Sequence, residues 1–219
     1  MLCEAVTQLK IELNATQHWQ LLRYLDTLLF WNKTYNLTAI TQPTEALVKH
    51  LIDCLAILPT LAKLDAINNN DGQQHKLATT DMLDIGAGAG LPSVVVAICQ
   101  PNRVCTPLDS NQKKIRFIRQ VSVELGLANV KPVASRIEQF SGQFGLITSR
   151  AFASLQDFIE LATPYLVDDG QLLAMKGKAP TEEELKLLAE TWQIEVLPIT
   201  VPYLSDSRHL VRLARQVHC

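Results

Sequence analysis

Apolar positions along the chain fall into two regimes. Up to about residue 62 they recur at helical spacing: Trp19, Leu22, Leu25, Leu28 and Leu29 stand apart with polar residues between them, the period of an amphipathic helix. Asn14-Ala15-Thr16-Gln17 precedes them and reads as a capping box, with Asn14 as N-cap and Gln17 reaching back. A second helix is predicted from Thr44 or Glu45 to Leu58, with Pro43 before it and Pro59 ending it. From Met82 onward, short apolar runs alternate with helical patterns. The runs at 82–85, 104–109, 130–134, 144–149, 171–176, 194–201 and 209–214 are expected to be strands. The segments 92–99, 111–125, 153–166 and 181–191 are expected to be helices. This alternation implies an α/β fold with a mainly parallel sheet covered on both faces. The last two strands have no helix-length segment between them and are expected to pair as an antiparallel edge hairpin. Between the regimes, residues 66–81 (AINNNDGQQHKLATTD) are polar without an apolar period and read as an exposed loop. The expected organisation is a helical extension (1–65), a polar loop (66–81) and an α/β domain (82–219).

Composition narrows the classes. With 219 residues, 47% of them hydrophobic, the chain can build one well-cored α/β domain with an extension. A formal net charge of −2 excludes a generally basic nucleic-acid binder, so any contact with a polyanion must come from a local patch. The five cysteines (Cys3, Cys54, Cys99, Cys105, Cys219) form no CxxC pair. That pattern argues against a disulfide framework or a zinc site and fits a reducing cytoplasm. The N-terminus lacks the basic flank and continuous apolar core of a signal peptide, and no stretch is long enough to span a bilayer. No metal and no membrane contact are expected.

The most informative stretch is Met82–Pro92, MLDIGAGAGLP. A short apolar strand runs into Gly86-Ala87-Gly88-Ala89-Gly90, a turn so poor in side chains that a ligand can lie against the backbone. Pro92 then suits the first turn of a helix. Strand, glycine turn and helix form the first βα unit of a nucleotide-binding sheet. A dinucleotide fingerprint requires glycine at position 91, where Leu91 stands. The Gly-x-Gly-x-Gly spacing with Asp84 before it instead resembles the first motif of class I methyltransferases that use S-adenosylmethionine. Asp109 ends the second strand about twenty residues on, where a carboxylate accepts hydrogen bonds from ribose hydroxyls; the alternative is an N-cap for the next helix.

Other candidates follow the later strands. Ser135-Arg136-Ile137-Glu138 lies where an adenine edge would sit, or is a surface loop with a salt-bridged pair. Ser149-Arg150-Ala151-Phe152-Ala153-Ser154 follows the fourth strand, whose end faces the transferred methyl in such folds. It has neither the Asn/Asp-Pro-Pro-aromatic motif of amino-group methyltransferases nor the nucleophilic cysteine of pyrimidine C5 methyltransferases. The acceptor therefore needs no covalent activation, which suits guanine N7, whose lone pair is free in the ring plane. Arg150 is the candidate residue for orienting the donor or the RNA, with a structural ion pair as the alternative. Trp31–Thr38 (WNKTYNLT) is polar, aromatic and basic together; it reads as a helix end with its turn, or as a contact for a base and a phosphate through Lys33, Tyr35 and Asn36. Lys113, Arg116 and Arg119 share a helix face that is either solvated or phosphate-binding, and Lys176-Gly177-Lys178 lies on the ligand-binding edge. His50 and Asp53, one turn apart, are expected to form a buried hydrogen-bonded pair, with a proton relay as the alternative.

Together WNKTYNLT, the HLIDC segment from His50, LDIGAGAGLP, LDSNQKKIRFIRQV, SRIEQF, SRAFASL, MKGK and the HLV at His209 resemble the glucose-inhibited division protein B family, the bacterial 16S rRNA guanine-N7 methyltransferases. The resemblance implies a class I, Rossmann-like methyltransferase fold with seven strands, mostly parallel with an antiparallel edge, plus the helical extension. It implies S-adenosylmethionine as donor and guanine 527 of 16S rRNA in the small ribosomal subunit as acceptor; a monomer is expected. By motif, Gly86, Gly88 and Leu91 fall at the donor turn, Asp109 at the ribose, Ile137 and Glu138 at the adenine, and Arg150 at the family's site arginine. Lys33, Tyr35, Asn36, Lys113, Arg116, Arg136 and Lys176 are the candidates for RNA contact. The chain departs from the family pattern at Ala89 (usually Pro), Ser93 (often Gly), Cys54 in place of Ser, and in a longer 66–81 insert. The other readings are a small-molecule methyltransferase, a nicotinamide-dependent oxidoreductase, disfavoured by Leu91, and a non-catalytic RNA-binding module.

Overall fold

A computed structural model describes residues 1–70, 81–150, 152 and 154–216. The N-terminal part is helical: α1 (Leu2–Gln8), α2 (Ala15–Tyr35), α3 (Pro43–Ala46), a π-helical segment (Leu47–Ile52), α4 (Asp53–Leu55) and α5 (Leu58–Asn70). The reciprocal capping box of Asn14 and Gln17 starts α2, and Asn36, left-handed at φ 51°, ends it. The buried side of α2 is Leu21, Tyr24, Leu25, Thr27, Leu28 and Asn32. This corrects the expected stripe, because Trp19 and Leu22 lie exposed on the opposite flank. Pro59 does not end a helix. It occupies the first turn of α5, where a missing N–H costs nothing. Helix α5 continues through Asn70 into the segment expected to be loop, and residues 71–80 lie outside the described ones.

The remaining elements are β1 (Met82–Ile85), α6 (Ser93–Cys99), β2 (Cys105–Asp109), α7 (Gln112–Glu124), β3 (Val133–Ala134), β4 (Phe144–Ser149), α8 (Leu155–Ala162), β5 (Leu166–Lys176), α9 (Glu182–Leu188), β6 (Trp192–Ile199) and β7 (Arg208–Arg215). They form one seven-stranded sheet in the order β3-β2-β1-β4-β5-β7-β6. Strand β7 runs antiparallel to both neighbours, β5 and β6. The terminal hairpin thus sits at the edge as expected, with its reversed strand one place in from the rim. Strand β3 is shorter than its apolar run, and β5 is longer, with an irregularity in its pairing to β4 between Phe144 and Leu146.

Strand alternation sorts the core into two layers. Leu83, Ile85, Leu108, Ile147, Leu172 and Val211 face α8 through Leu155, Phe158 and Ile159. Met82, Cys105, Leu146, Leu173 and Leu210 share the other layer with Val94 and Val95 of α6 and Ile115 and Phe117 of α7. That second layer also takes in Leu21, Tyr24, Leu28, Leu51, Leu55 and Leu61. The helical extension and the sheet domain are therefore closed over a single apolar core, and the extension reaches the carboxyl edge of the sheet from one side.

Candidate active site

The carboxyl ends of β1, β2, β4 and β5 converge on one edge, the place where open α/β sheets bind ligands. At the end of β1 the chain turns through Gly86, Gly88 and Gly90, all with positive φ (70°, 60° and 91°), a conformation that only glycine adopts freely. The turn is pinned from three directions. Gly86 and Ala87 donate their N–H groups to the Leu108 carbonyl at 2.9 and 3.0 Å. Gly88 donates to Asp109 Oδ2 at 2.9 Å. The Tyr24 hydroxyl, on the extension, donates to the Ala89 carbonyl at 2.8 Å. Burial raises the Tyr24 pKa well above that of free tyrosine, so the hydroxyl keeps the proton it donates. Tyr24 was missed in the sequence, where it falls among the polar residues between the apolar positions of the stripe.

Asp109 is half-buried beside this turn. Its other oxygen accepts from the Asn111 N–H at 2.8 Å, and Lys114 stands 3.7 Å away. The helix cap is not Asp109 but Asn111, which accepts from the N–H groups of Lys113 and Lys114. Asp109 is thereby left facing the glycine turn, with each oxygen retaining lone-pair capacity for a hydroxyl. Beneath the turn Asp84 is fully buried, and burial pushes its carboxyl up to about 7. Asp84 Oδ2 accepts from the Ser93 N–H at 3.2 Å. Asp84 therefore supports the turn from below. Leu91 is buried in the core, and its N–H donates to the Ala87 carbonyl at 3.1 Å.

Ile137 and Glu138 form a short 3₁₀ turn after β3, with Ile137 buried and Glu138 exposed. Tyr165 donates to the Ile137 carbonyl at 2.6 Å and packs on Phe140, which stacks on Phe144. This aromatic backing fixes the turn beside the donor edge. Arg136 is exposed there, and so are Lys113 and Arg116 on α7.

Arg150 lines a neighbouring cavity of about 300 Å³ together with Ile40, Lys49, His50, Asp53, Lys176 and Arg208, and its charge also reaches Asp84 and Tyr24 beneath the glycine turn. Asp53 is its anchor. It receives Arg150 Nη1 at 3.2 Å on one oxygen and Arg208 Nε at 3.0 Å on the other. Burial holds its carboxyl above the ordinary range even though both guanidiniums pull it down. The geometry of two charge-assisted hydrogen bonds identifies it as the charged partner of both. The expected His50–Asp53 pair does not form. His50 Nε2 instead lies 2.8 Å from Thr38 Oγ1, and burial, with the Arg150 charge, pushes its pKa down to about 4. The cause of the different pairing is the π-helical segment, whose wider turn shifts the register of the side chains beyond it. It leaves Lys49, His50 and Asp53 lining one cavity. Lys176 also lines it and donates to the Phe152 carbonyl at 3.3 Å. Arg208, at the start of the reversed strand, was missed; nothing local in RHLVRLAR marks it.

Of the other RNA candidates, Lys33 and Asn36 line a separate groove on α2, while Tyr35 packs against Trp31 in a tilted contact with ring centres 5.2 Å apart. Among the described residues no cluster of three or more His, Cys, Asp or Glu is placed to hold a metal. No described helix is long and apolar enough to cross a membrane.

Known proteins bear on this arrangement. Solved structures share the fold at low identity: a protein of Agrobacterium tumefaciens described as a predicted O-methyltransferase (TM-score 0.53, 18% identity, 64% of this chain and 76% of that one), and TrmN from Thermus thermophilus (TM-score 0.51, 15% identity, 72% and 49%). Among curated relatives, the ribosomal RNA small subunit methyltransferase G of Psychrobacter cryohalolentis is 56% identical over 214 residues, covering 98% of this chain and 83% of its own length. The protein of the same name from Acinetobacter baumannii is 46% identical over 200 residues, covering 89% and 87%. The family model described as GidB, rRNA small subunit methyltransferase G, matches residues 17–211. With nearly the whole chain matched, from the helix that pins the glycine turn to the strand that carries Arg208, this protein belongs to the rRNA small subunit methyltransferase G family.

Proposed function

We propose that this protein transfers a methyl group from S-adenosylmethionine to N7 of guanine 527 in 16S rRNA, acting as a monomer in the cytoplasm on the small ribosomal subunit. The observation that carries the reading is the pairing of two sites on one sheet edge. The pinned glycine turn and Asp109 suit a nucleoside-type donor, and the arginine-lined cavity opens next to them across the end of β4.

The residues present fit the donor. A Cβ on Gly88 would meet nothing within 4 Å, so the turn keeps open space beside its backbone. Gly86 and Gly88 would lie against the donor, Asp109 would accept from its ribose hydroxyls, and the Ile137–Glu138 turn would flank its adenine. The donor supplies a methyl group on a positively charged sulfur, activated before it binds. The protein's task is therefore alignment of the acceptor with that methyl for in-line displacement.

Guanine N7 carries an in-plane lone pair and no proton, so no general base is needed. His50, held neutral by burial and committed to Thr38, acts as a fixed wall of the cavity. Arg150 and Arg208, pointed by Asp53, present N–H donors suited to a purine carbonyl or a phosphate. Lys176 adds positive charge. Arg136, Lys113 and Arg116 extend the basic surface past the donor edge, where phosphates of the same RNA can be met.

The test is to incubate the purified protein with methyl-labelled S-adenosylmethionine and small subunits from a strain lacking the modification. Label is expected in 16S rRNA. Transfer confined to small molecules, or donor binding without transfer, would contradict the reading.

A further inference from the structure

An opening on the helical extension belongs to neither site. It is a groove of about 640 Å³ at the end of α2, lined among others by Asp26, Phe30, Lys33, Asn36, Thr38 and Thr41. Phe30 is 71% exposed, on the flank of α2 opposite its buried stripe. An aromatic ring this exposed, bordered by amide, hydroxyl and charged groups, offers one flat apolar face with hydrogen-bonding partners around it.

The groove is one residue away from the arginine-lined cavity. Thr38 lines the groove, and its hydroxyl bonds the His50 ring that lines the cavity. Ile40 lines the cavity while its neighbours Ala39 and Thr41 line the groove. Asn32 fixes this partition by accepting from the Thr38 N–H at 2.9 Å. The segment 38–41 is therefore a thin wall, with the two openings on either side of it.

We infer that the groove is a base-stacking subsite for the nucleotide next to the target guanine, taken as single-stranded RNA with its base on Phe30. This rests on the reading of the arginine-lined cavity as the acceptor pocket. Charge supports a base over a string of phosphates. Asp26 and Lys33 balance each other, so the groove has no net positive field, whereas their carboxylate and ammonium, with the Asn36 amide, match the amino and carbonyl groups on a base edge. Proteins that read RNA in sequence do so on unstacked bases held against aromatic side chains. A strand that places one base in the acceptor pocket must splay the next one, and Phe30 is the exposed ring across the wall.

The test uses the full-length protein with two variants, Phe30→Ala and Phe30→Trp. An oligoribonucleotide spanning the target loop carries the fluorescent base 2-aminopurine on either side of the target guanine. Stacking on Phe30 is expected to change the fluorescence with wild type and with F30W, and not with F30A. In parallel, the KM for unmodified small subunits is expected to rise about 5- to 100-fold in F30A, the loss of one base stack. The kcat and calorimetric donor affinity should stay the same, and F30W should restore KM. Unchanged KM and fluorescence in F30A, with wild type active, would overturn the subsite and leave the acceptor reading intact. A KM effect without any fluorescence difference would point to a protein component of the subunit and overturn it as well. A Phe30-dependent fluorescence change in a wild-type protein that transfers no methyl would keep the subsite and remove the acceptor reading.

Discussion

Gly88 and Gly90 stand two residues apart in one turn, yet substituting them should have opposite consequences. Both have positive φ, +60° and +91°, so an alanine at either is strained by about 1–2 kcal/mol. Their surroundings differ. A Cβ on Gly90 would land 2.5 Å from Val94 Cγ2 and 3.3 Å from Ile118 Cγ1. Both partners are core side chains without room to retreat, and such overpacking adds about 1–3 kcal/mol. A Cβ on Gly88 would meet nothing within 4 Å, since it enters the space assigned to the donor. Gly90→Ala should thus lose about 2–5 kcal/mol, a combination of strain and overpacking, and melt about 4–20 °C lower. Gly88→Ala should lose about 1–2 kcal/mol and melt about 2–8 °C lower. Donor affinity by calorimetry should reverse the order. Gly88→Ala should bind S-adenosylmethionine at least about tenfold more weakly, a change of about 1.4 kcal/mol. Gly90→Ala, measured below its melting point, should bind within a few-fold of wild type. A Gly88→Ala protein with wild-type affinity would refute the placement of the donor, and a Gly90→Ala protein as stable as Gly88→Ala would refute the packing argument.

Asp53→Ala removes the shared partner of Arg150 and Arg208. Two charge-assisted bonds, discounted because both arginines are partly exposed, put the loss at about 2–4 kcal/mol by chemical denaturation. Methyl transfer should fall at least about tenfold while donor affinity is retained; equal loss of both would place Asp53 in the donor site instead. Two buried groups should also tilt stability with pH in opposite directions. Asp84 titrates at about 7 in the fold, above its unfolded value, so the stability it confers is fully present only below about pH 4 and is lost progressively as pH rises to 7. His50 titrates at about 4, below its unfolded value, so its contribution is lost as pH falls from 6.5 toward 4. The two contributions nearly offset each other between about pH 4 and 6.5. Urea titrations should therefore show that Asp84→Asn, which removes the falling contribution, makes stability rise with pH across this range more steeply than in wild type; an unchanged pH profile in the variant would contradict the assignment. Gln17→Ala should cost about 1–2 kcal/mol, because Gln17 closes the capping box and also donates to the carbonyls of Ile98 and Cys99 at 3.0 and 3.2 Å. A melting temperature within a degree of wild type would mean that this link between extension and sheet carries no load.

The strand, glycine turn and helix at Met82–Cys99, with Asp109 beside them, were legible in the sequence because their pattern is local. Glycine spacing, the strand before it and the acid after the next strand all lie within about thirty residues, and each constrains the backbone directly. The sheet was legible for the same reason, since period and burial go together within one strand. What stayed hidden depends on contacts between distant segments. Asp53 meets Arg150 and Arg208 across 97 and 155 residues, and neither spacing nor residue type pairs them. The partner of His50 was misjudged because a regular helix places residues one turn apart together, and the π-helical turn at Leu47–Ile52 breaks that geometry. The buried face of α2 was misjudged because Tyr24 and Asn32, polar by type, are buried, while Trp19, Leu22 and Phe30, apolar by type, are not. That inversion is itself informative: side chains on the wrong side of the pattern lie at the contact with the glycine turn and at the groove.

In the proposed reaction the two sites on one sheet edge deliver a methyl group to a ring nitrogen of a single guanine. The most direct measurement treats unmodified small subunits with the protein and S-adenosylmethionine, extracts the 16S rRNA, and maps N7-methylguanine by reduction and aniline-induced strand cleavage. One new cleavage at guanine 527, absent when the donor is omitted and absent with Gly88→Ala at limiting donor, is the predicted result. Cleavage at other guanines, or methyl label in the RNA that gives no cleavage, would contradict it.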